Sequence, residues 1–257
     1  DGFKMPDQSG VKVQAPDFKL APKDFKHGQL VGGTAVDLTN YVKTPVYNQG
    51  ACGNCWAYSS TDEVNMISLL WGLGRPTLSM QHLTDCDSYN SNLTYSNYGC
   101  QGGDLQYAMW YMTYYGLHTL SAYPLNTLTL TQGSNQPCKT INAPKYKISG
   151  WYLIYNATVQ DCNIRATYIS YGFTLSTAVF AGNLPFIYYS SGILNACSPP
   201  PYAGYLDHGV IMVGYSTSTS PSYIKIKNSW GSSWGESGYI KIAYGACNMC
   251  TYSVIGV

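Results

Sequence analysis

Nine cysteines, at positions 52, 55, 86, 100, 138, 162, 197, 247 and 250, constrain this chain of 257 residues more than any hydrophobic period does. An odd count of this density is most simply read as four disulfides and one thiol left over, which implies an oxidising compartment. The thiol to leave over stands in Gln49-Gly50-Ala51-Cys52-Gly53-Asn54-Cys55-Trp56, where Cys55 opens a predicted helix six residues after a glutamine. A helix N-terminus presents N–H groups and about half a positive charge, which favours thiolate over thiol. A side-chain amide close by can hold a developing oxyanion. Acyl-transfer chemistry is therefore the first hypothesis.

The same Cys-x-x-Cys spacing also serves redox sites and half of a zinc site, and Cys247-Asn248-Met249-Cys250 supplies a second pair. Three observations count against four thiolates on one metal. No thioredoxin-like strand and helix pattern precedes Cys52, the two pairs begin 195 residues apart, and five further cysteines would be left without a role.

Composition excludes other classes. Hydrophobic residues make up 45% of the chain, ample for a core in one large domain or two small ones. Only 11% of residues are charged and the net charge is +1, so there is no electrostatic footprint for nucleic acid or an acidic membrane surface. No run of 18 apolar residues offers a membrane span, and Asp1 is not followed by signal-peptide features, so the N-terminus reads as processed or trimmed. The sequons at Asn92 and Asn156 agree with a secretory route and are candidate glycosylation sites.

Residues 1–33 carry Pro6, Pro16 and Pro22 without periodicity and read as an irregular extension. From Cys55 to Trp71 the apolar residues Ala57, Val64, Ile67 and Trp71 recur at helical spacing, and Gly72, Gly74 and Pro76 end the pattern. Shorter helices are predicted at 78–83, capped by Ser79, at 104–115, ended by Gly116, and at 159–171. Five β-branched or tyrosine-rich segments, 146–155, 172–181, 208–215, 222–228 and 238–243, read as strands. The expected organisation is one α+β catalytic domain: the extension 1–33, a helix-rich part 34–152 and a β-rich part 153–257, with a cleft between the two parts.

A nucleophilic thiol needs a base, and four histidines are available. His27 lies in the extension, while His82 in a short helix and His118 in a loop read as ordinary packing or surface residues. His208 opens a strand, and Asn228 ends the next one. Adjacent antiparallel strands would let Asn228 accept from one ring nitrogen while the other faces Cys55. The plainer reading makes His208 a strand-end histidine satisfied by backbone groups.

Five blocks then occur in order: 49–57, Leu78-Ser79-Met80-Gln81-His82-Leu83-Thr84-Asp85-Cys86-Asp87, Gly99-Cys100-Gln101-Gly102-Gly103, Asp207-His208-Gly209, and Asn228-Ser229-Trp230-Gly231 with 234–239. Together they closely resemble the papain-like cysteine proteases, from about residue 34 to the C-terminus. The resemblance implies a helix-rich left subdomain and a β-barrel-like right subdomain with the active-site cleft between them. It implies Cys55 as nucleophile, His208 as base and acid, Asn228 as the residue orienting His208, and Gln49 as an oxyanion donor. Trp230 would cover the Asn228–His208 bond, Gly102 and Gly103 would present a backbone edge to substrate, and Ala178, Leu206 and Ile255 would line the pocket for the residue two before the cleaved bond. Their apolar character predicts Leu, Val or Phe there.

The resemblance also pairs Cys52 with Cys100 and Cys86 with Cys138. Cys162, Cys197, Cys247 and Cys250 allow three connectivities; likeness of the 248–250 segment to the family's C-terminal cysteine favours Cys197 with Cys250, leaving Cys162 with Cys247. No cofactor or metal is implied. The implied partners are protein or peptide substrates and cystatin-like protein inhibitors of a monomer, with no nucleic acid or membrane, in a secreted or lysosomal/vacuolar setting. The extension would be a propeptide remnant of a zymogen, although it lacks a long prosegment helix.

Two departures stand out. Asn54 replaces the usual Ser or Ala before the nucleophile, and His208 and Asn228 follow Cys55 by 153 and 173 residues, beyond the usual separation of about 130–150, which places insertions near 195–205 and 216–222. An endopeptidase is the leading reading, since no histidine pair in a long loop suggests an exopeptidase insertion. Alternatives are a dipeptidyl exopeptidase of the same family, an acyltransferase, and a non-catalytic binding protein on this fold.

Overall fold

Helices fill the first part of the chain and strands the second, but the two ends of the chain cross that division. The computed structural model describes residues 33–257 apart from 89–95, 156–159 and 203; both sequon asparagines, Asn92 and Asn156, and the extension up to residue 32 lie outside the described residues. In chain order the elements are β1 (Ala35–Asp37), α1 (Cys55–Leu70), α2 (Met80–Cys86), α3 (Leu105–Tyr114), α4 (Thr127–Gln132), β2 (Trp151–Tyr155), α5 (Cys162–Ser170), β3 (Leu175–Val179), α6 (Leu184–Ile187), β4 (Ile193–Leu194), β5 (His208–Ser216), β6 (Tyr223–Lys227), β7 (Tyr239–Ala243) and β8 (Tyr252–Gly256). The strands form one sheet in the order β2-β8-β3-β5-β6-β7-β4, with β1 added to β5. All pairings are antiparallel except that of β4 with β7.

Helix ends follow local chemistry. The Ser79 hydroxyl accepts from His82 N at 3.0 Å to start α2, and the Asp104 carboxylate accepts from Gln106 N and Tyr107 N at 2.7 and 3.2 Å to start α3. Asn126 caps α4 in the same way, and left-handed Gly133 ends it. Periodicity alone did not reveal α4, which has one buried residue, nor the terminal strand β8.

The alternation of β6 and β7 is that of a half-buried hairpin. Ile224 and Ile226 face Ile242 and Ile240 in the core, each burial contributing roughly 1.5–3 kcal/mol, while Lys225 and Lys241 stand opposite one another on the other face. Like charges in register repel. Here each lysine has its own carboxylate, Lys225 on Asp37 at 2.6 Å and Lys241 on Glu236 at 3.1 Å.

The helix α1 is buried almost all round, polar residues included. A polar group can be buried at low cost only when it is hydrogen-bonded. Asn65 both accepts from Leu78 N and donates to Leu78 O, Glu63 accepts from Gly256 N on β8, and Asp62 forms an ion pair with Lys227 at the end of β6. Glu63 and Asp62 tie α1 to the sheet, and Asn65 ties it to the segment before α2. One hydrophobic cluster joins Cys55, Trp56, Leu83, Leu105, Ala178 and Tyr252, and a second gathers the isoleucines of β6 and β7 with α5 and α6.

Disulfides join Cys52 to Cys100 and Cys86 to Cys138, as the resemblance implied. The other two join Cys162 to Cys250 and Cys197 to Cys247, which corrects the expected pairing of Cys197 with Cys250 and Cys162 with Cys247. Arg165 of α5 donates to Ser253 Oγ on β8 and to Ile154 O on β2, so the start of α5 lies along the entry to β8, where Cys250 stands. Cys247 belongs to the preceding turn. Its carbonyl accepts from Phe180 N, and its neighbour Asn248 donates to Tyr205 O, which turns Cys247 toward the 195–205 loop that carries Cys197.

Candidate active site

The site grows from the first turn of α1. Asn54 occupies the N-cap position without a side-chain cap bond; its amide instead donates to Thr84 Oγ1 on α2 at 3.0 Å. That is the physical role of the departure at this position: it clips α1 to α2. Cys55 follows, buried and outside any disulfide.

Behind Cys55 lies β5. A Cβ added to Gly209 would stand 2.8 Å from Ser59 Oγ and 3.1 Å from Cys55 O, so this glycine lets the strand close directly on the first turn of α1. His208, one residue earlier, is thereby held beside that turn. Its Nε2 lies 2.7 Å from Asn228 Oδ1, which also accepts from Ser229 N at 2.8 Å. Since a carbonyl oxygen only accepts, Nε2 carries the proton and Nδ1 is left as the basic nitrogen. Burial pushes His208 down to about 4, with the Asn228 hydrogen bond opposing the shift. A thiolate beside the ring would act in the same sense as Asn228, because it favours the charged imidazole.

Aromatic rings cover this pair. Trp230 lies 4.7 Å from the His208 ring, centroid to centroid, and Phe186 meets Trp230 edge-on at 5.5 Å. The arrangement keeps water from the His208–Asn228 bond and so strengthens it.

Gln49 is buried, and one N–H of its amide donates to Cys52 O at 2.9 Å, which leaves the second free to serve an oxyanion. Ser229 donates to Gln49 Oε1 at 2.6 Å and fixes which way the amide points. Sequence reading missed this use of Ser229. Its only signal was the adjacency to Asn228.

The proposed substrate edge has a different reason for its glycines than the one expected. A Cβ on Gly103 would collide with Asn97 Oδ1 at 2.5 Å and with Trp56 at 2.7 Å, so its bareness serves internal packing, and Gly102 adopts φ 105°, open to glycine alone. Trp56 is locked there by its indole N–H donating to Gly99 O at 3.0 Å.

Ala178 and Leu206 share the cluster that contains Cys55, but Ile255 does not. This corrects the expected pocket. Side chains alternate along a strand, so Tyr252 and Val254 face Ala178 while Ile255 points into the other core. Tyr252 is fully buried, and its hydroxyl donates to the Asp104 carboxylate at 3.0 and 3.1 Å. Ser198, Pro199, Pro201 and Tyr205 form one wall of an open groove bordered by Asp207, Phe180, Asn183 and Leu184. Asp207 is held by Ala181 N and Gly182 N at 2.7 and 2.9 Å.

Among the described residues no group of three or more His, Cys, Asp and Glu side chains could hold a metal. Cys52, Cys247 and Cys250, the other thiols of the two Cys-x-x-Cys pairs, are all in disulfides. No helix among the described residues is long and apolar enough to cross a membrane.

Comparison with known proteins shows what the chain resembles as a whole. Residues 33–256 match the family model described as papain family cysteine protease. Chymopapain of Carica papaya is 37% identical over 201 residues, 77% of this chain and 51% of chymopapain. Cathepsin L 2 of Paramecium tetraurelia is 35% identical over 223 residues, 85% of this chain and 62% of that protein. The chain thus spans about half to two thirds of the length of these relatives. Among solved structures, the Carica candamarcensis cysteine protease CMS1MS2 in complex with E-64 superposes with a TM-score of 0.69 at 33% identity, over 88% of this chain and 98% of that one. Digestive procathepsin L 3 of Tenebrio molitor larval midgut gives a TM-score of 0.73 at 30% identity, over 88% and 70%. With its family model matched over nearly its whole length, the chain belongs to the papain family of cysteine proteases.

Proposed function

We propose that this chain is a cysteine endopeptidase in which Cys55 attacks the scissile carbonyl and His208 shuttles the proton. The observation that carries the reading is the buried His208–Asn228 bond of 2.7 Å, held by Gly209 against the turn that bears Cys55. Asn228 fixes the ring so that Nδ1 faces the thiol, and takes the Nε2 proton's hydrogen bond throughout. The helix N-terminus and an imidazolium together lower a thiol from about 8.5 to about 3.5–7.5, so the resting pair is thiolate and imidazolium. Attack gives a tetrahedral oxyanion held by Gln49 and the Cys55 N–H; His208 then gives its proton to the leaving amine, and water releases the acyl group.

Substrate would run along the Gly102–Gly103 edge, with an apolar side chain against Ala178 and Leu206. Four disulfides in the described residues suit an oxidising, secreted or lysosomal/vacuolar setting. The test is an internally quenched peptide library blocked at both ends. Cleavage within blocked peptides, abolished by a thiol-alkylating peptide ketone and favouring Leu, Val or Phe two residues before the cut, is expected. Release of dipeptides from free N-termini only would make it an exopeptidase, and a dominant basic preference would sink the pocket assignment.

A further inference from the structure

A small cavity of ≈ 10 Å³ borders Asn228, and its lining includes Tyr58, Ser59, Asp62, Lys227 and Asn228. Three buried polar atoms of that lining have no hydrogen-bond partner: Tyr58 Oη, Asp62 Oδ1 and Asn228 Nδ2. The three side chains are each at least nine-tenths buried. Native proteins seldom leave one such atom unpaired, and three around one space are the lining of a water site. A water needs about 10–15 Å³ of this kind of space and typically makes about three hydrogen bonds.

We infer that one structural water fills this cavity and makes Tyr58 and Asp62 positioning residues for Asn228. One water pairs all three atoms. Asn228 Nδ2 and Tyr58 Oη donate to the water, and the water donates to Asp62 Oδ1. The other oxygen of Asp62 is engaged by Lys227, whose ammonium also donates to Thr44 Oγ1 and to Pro45 O. Lys227 is the residue immediately before Asn228. The amide is therefore gripped twice from the same carboxylate: through the backbone by the Lys227 ion pair, and through its own N–H by the water. Its oxygen is left facing His208 Nε2. The hydrogen bond that orients the base is thus anchored in α1, one turn and two turns beyond Cys55, so the base and the nucleophile are referred to the same helix.

This inference rests on the His208–Asn228 reading above, and two measurements separate the two. A crystal structure at about 1.5 Å would show a fully occupied water within hydrogen-bond distance of Tyr58 Oη, Asp62 Oδ1 and Asn228 Nδ2. Tyr58→Phe removes only the hydroxyl and keeps the ring packed on Tyr47, 6.1 Å away between centroids. It is expected to lower kcat by about threefold to tenfold with KM unchanged and the unfolding midpoint nearly so. Asp62→Asn, which also breaks the ion pair, should lose more. An empty cavity, or a Tyr58→Phe enzyme with wild-type kcat, overturns the inference while leaving the peptidase reading intact. A wild-type protein without thiol-dependent peptidase activity overturns that reading, and the water density still decides the cavity.

Discussion

The segments 52–55 and 247–250 carry the same Cys-x-x-Cys spacing and set it in opposite backbone surroundings. In the first, Cys52 bridges outward to Cys100 and Cys55 begins a helix of 16 residues, so the helix geometry turns the second thiol away from the bridge. In the second, Cys247 and Asn248 both take φ near 54° in a short turn, and the two thiols leave in different directions, one to the 195–205 loop and one to α5. Spacing alone does not decide what a cysteine pair does. What decides is whether the second residue can be reached by another thiol once its backbone is fixed.

Substitutions should separate the two segments by kind of effect. Cys55→Ala is expected to lose about 10⁴-fold or more in kcat/KM against a peptide substrate, with the disulfides and fold intact. Retention of more than about one hundredth of the activity would break the distinction. Replacing Cys247 and Cys197 together by alanine should leave the rate within about threefold where the protein is folded, and show its effect in denaturant titration instead.

Within the second segment the two bridges close loops of 88 and 50 residues. On the chain-entropy model these are worth roughly 4.6 and 4.1 kcal/mol, so the Cys162→Ala/Cys250→Ala pair should cost about as much as, or slightly more than, Cys197→Ala/Cys247→Ala. Peptide mapping of the non-reduced protein checks the connectivity itself: fragments linking Cys162 to Cys247 would restore the pairing that the structure rejects.

Buried carboxyls give a smaller, pH-dependent effect. Burial pushes Asp85 to about 6 and Asp104 to about 7, and holds Glu63 and Asp87 well above their usual range. Unfolded, all four titrate near 3.9–4.3. Between about pH 4 and 7 the folded state therefore binds more protons than the unfolded one, and stability rises as pH falls. His82, held near 3, and His208, near 4, act oppositely below about 6.5, because the unfolded chain takes their protons first. Burial raises Asp62 and Asp207 as well, so six carboxyls stand against two histidines, and Cys55→Ala protein, which cannot digest itself, should melt at a higher temperature near pH 5 than at pH 8. Asp104→Asn should flatten that slope.

Local signals carried most of the elements and the candidate residues. Ser79 and Gly116 marked helix ends by capping chemistry, and the period of 55–71 gave α1 directly. Long-range facts stayed hidden. The strand β1 has only three residues and exists because it pairs with β5, almost 180 positions later. The resemblance misplaced Ile255, since one residue of register decides which core a side chain enters, and β8 carries apolar residues on both faces. The grip of Ser229 on Gln49 and of Asn54 on Thr84 are contacts between distant segments, with no local pattern to announce them.

The most direct test is the pH dependence of Cys55 alkylation by iodoacetamide, a small neutral reagent, read by mass mapping of the modified residue. A thiolate paired with His208 should keep reacting at an undiminished rate down to about pH 5, well below the ordinary thiol value of about 8.5, and His208→Ala should restore ordinary behaviour. A wild-type rate that falls tenfold for each pH unit below 8, or labelling that spares Cys55, would contradict the account.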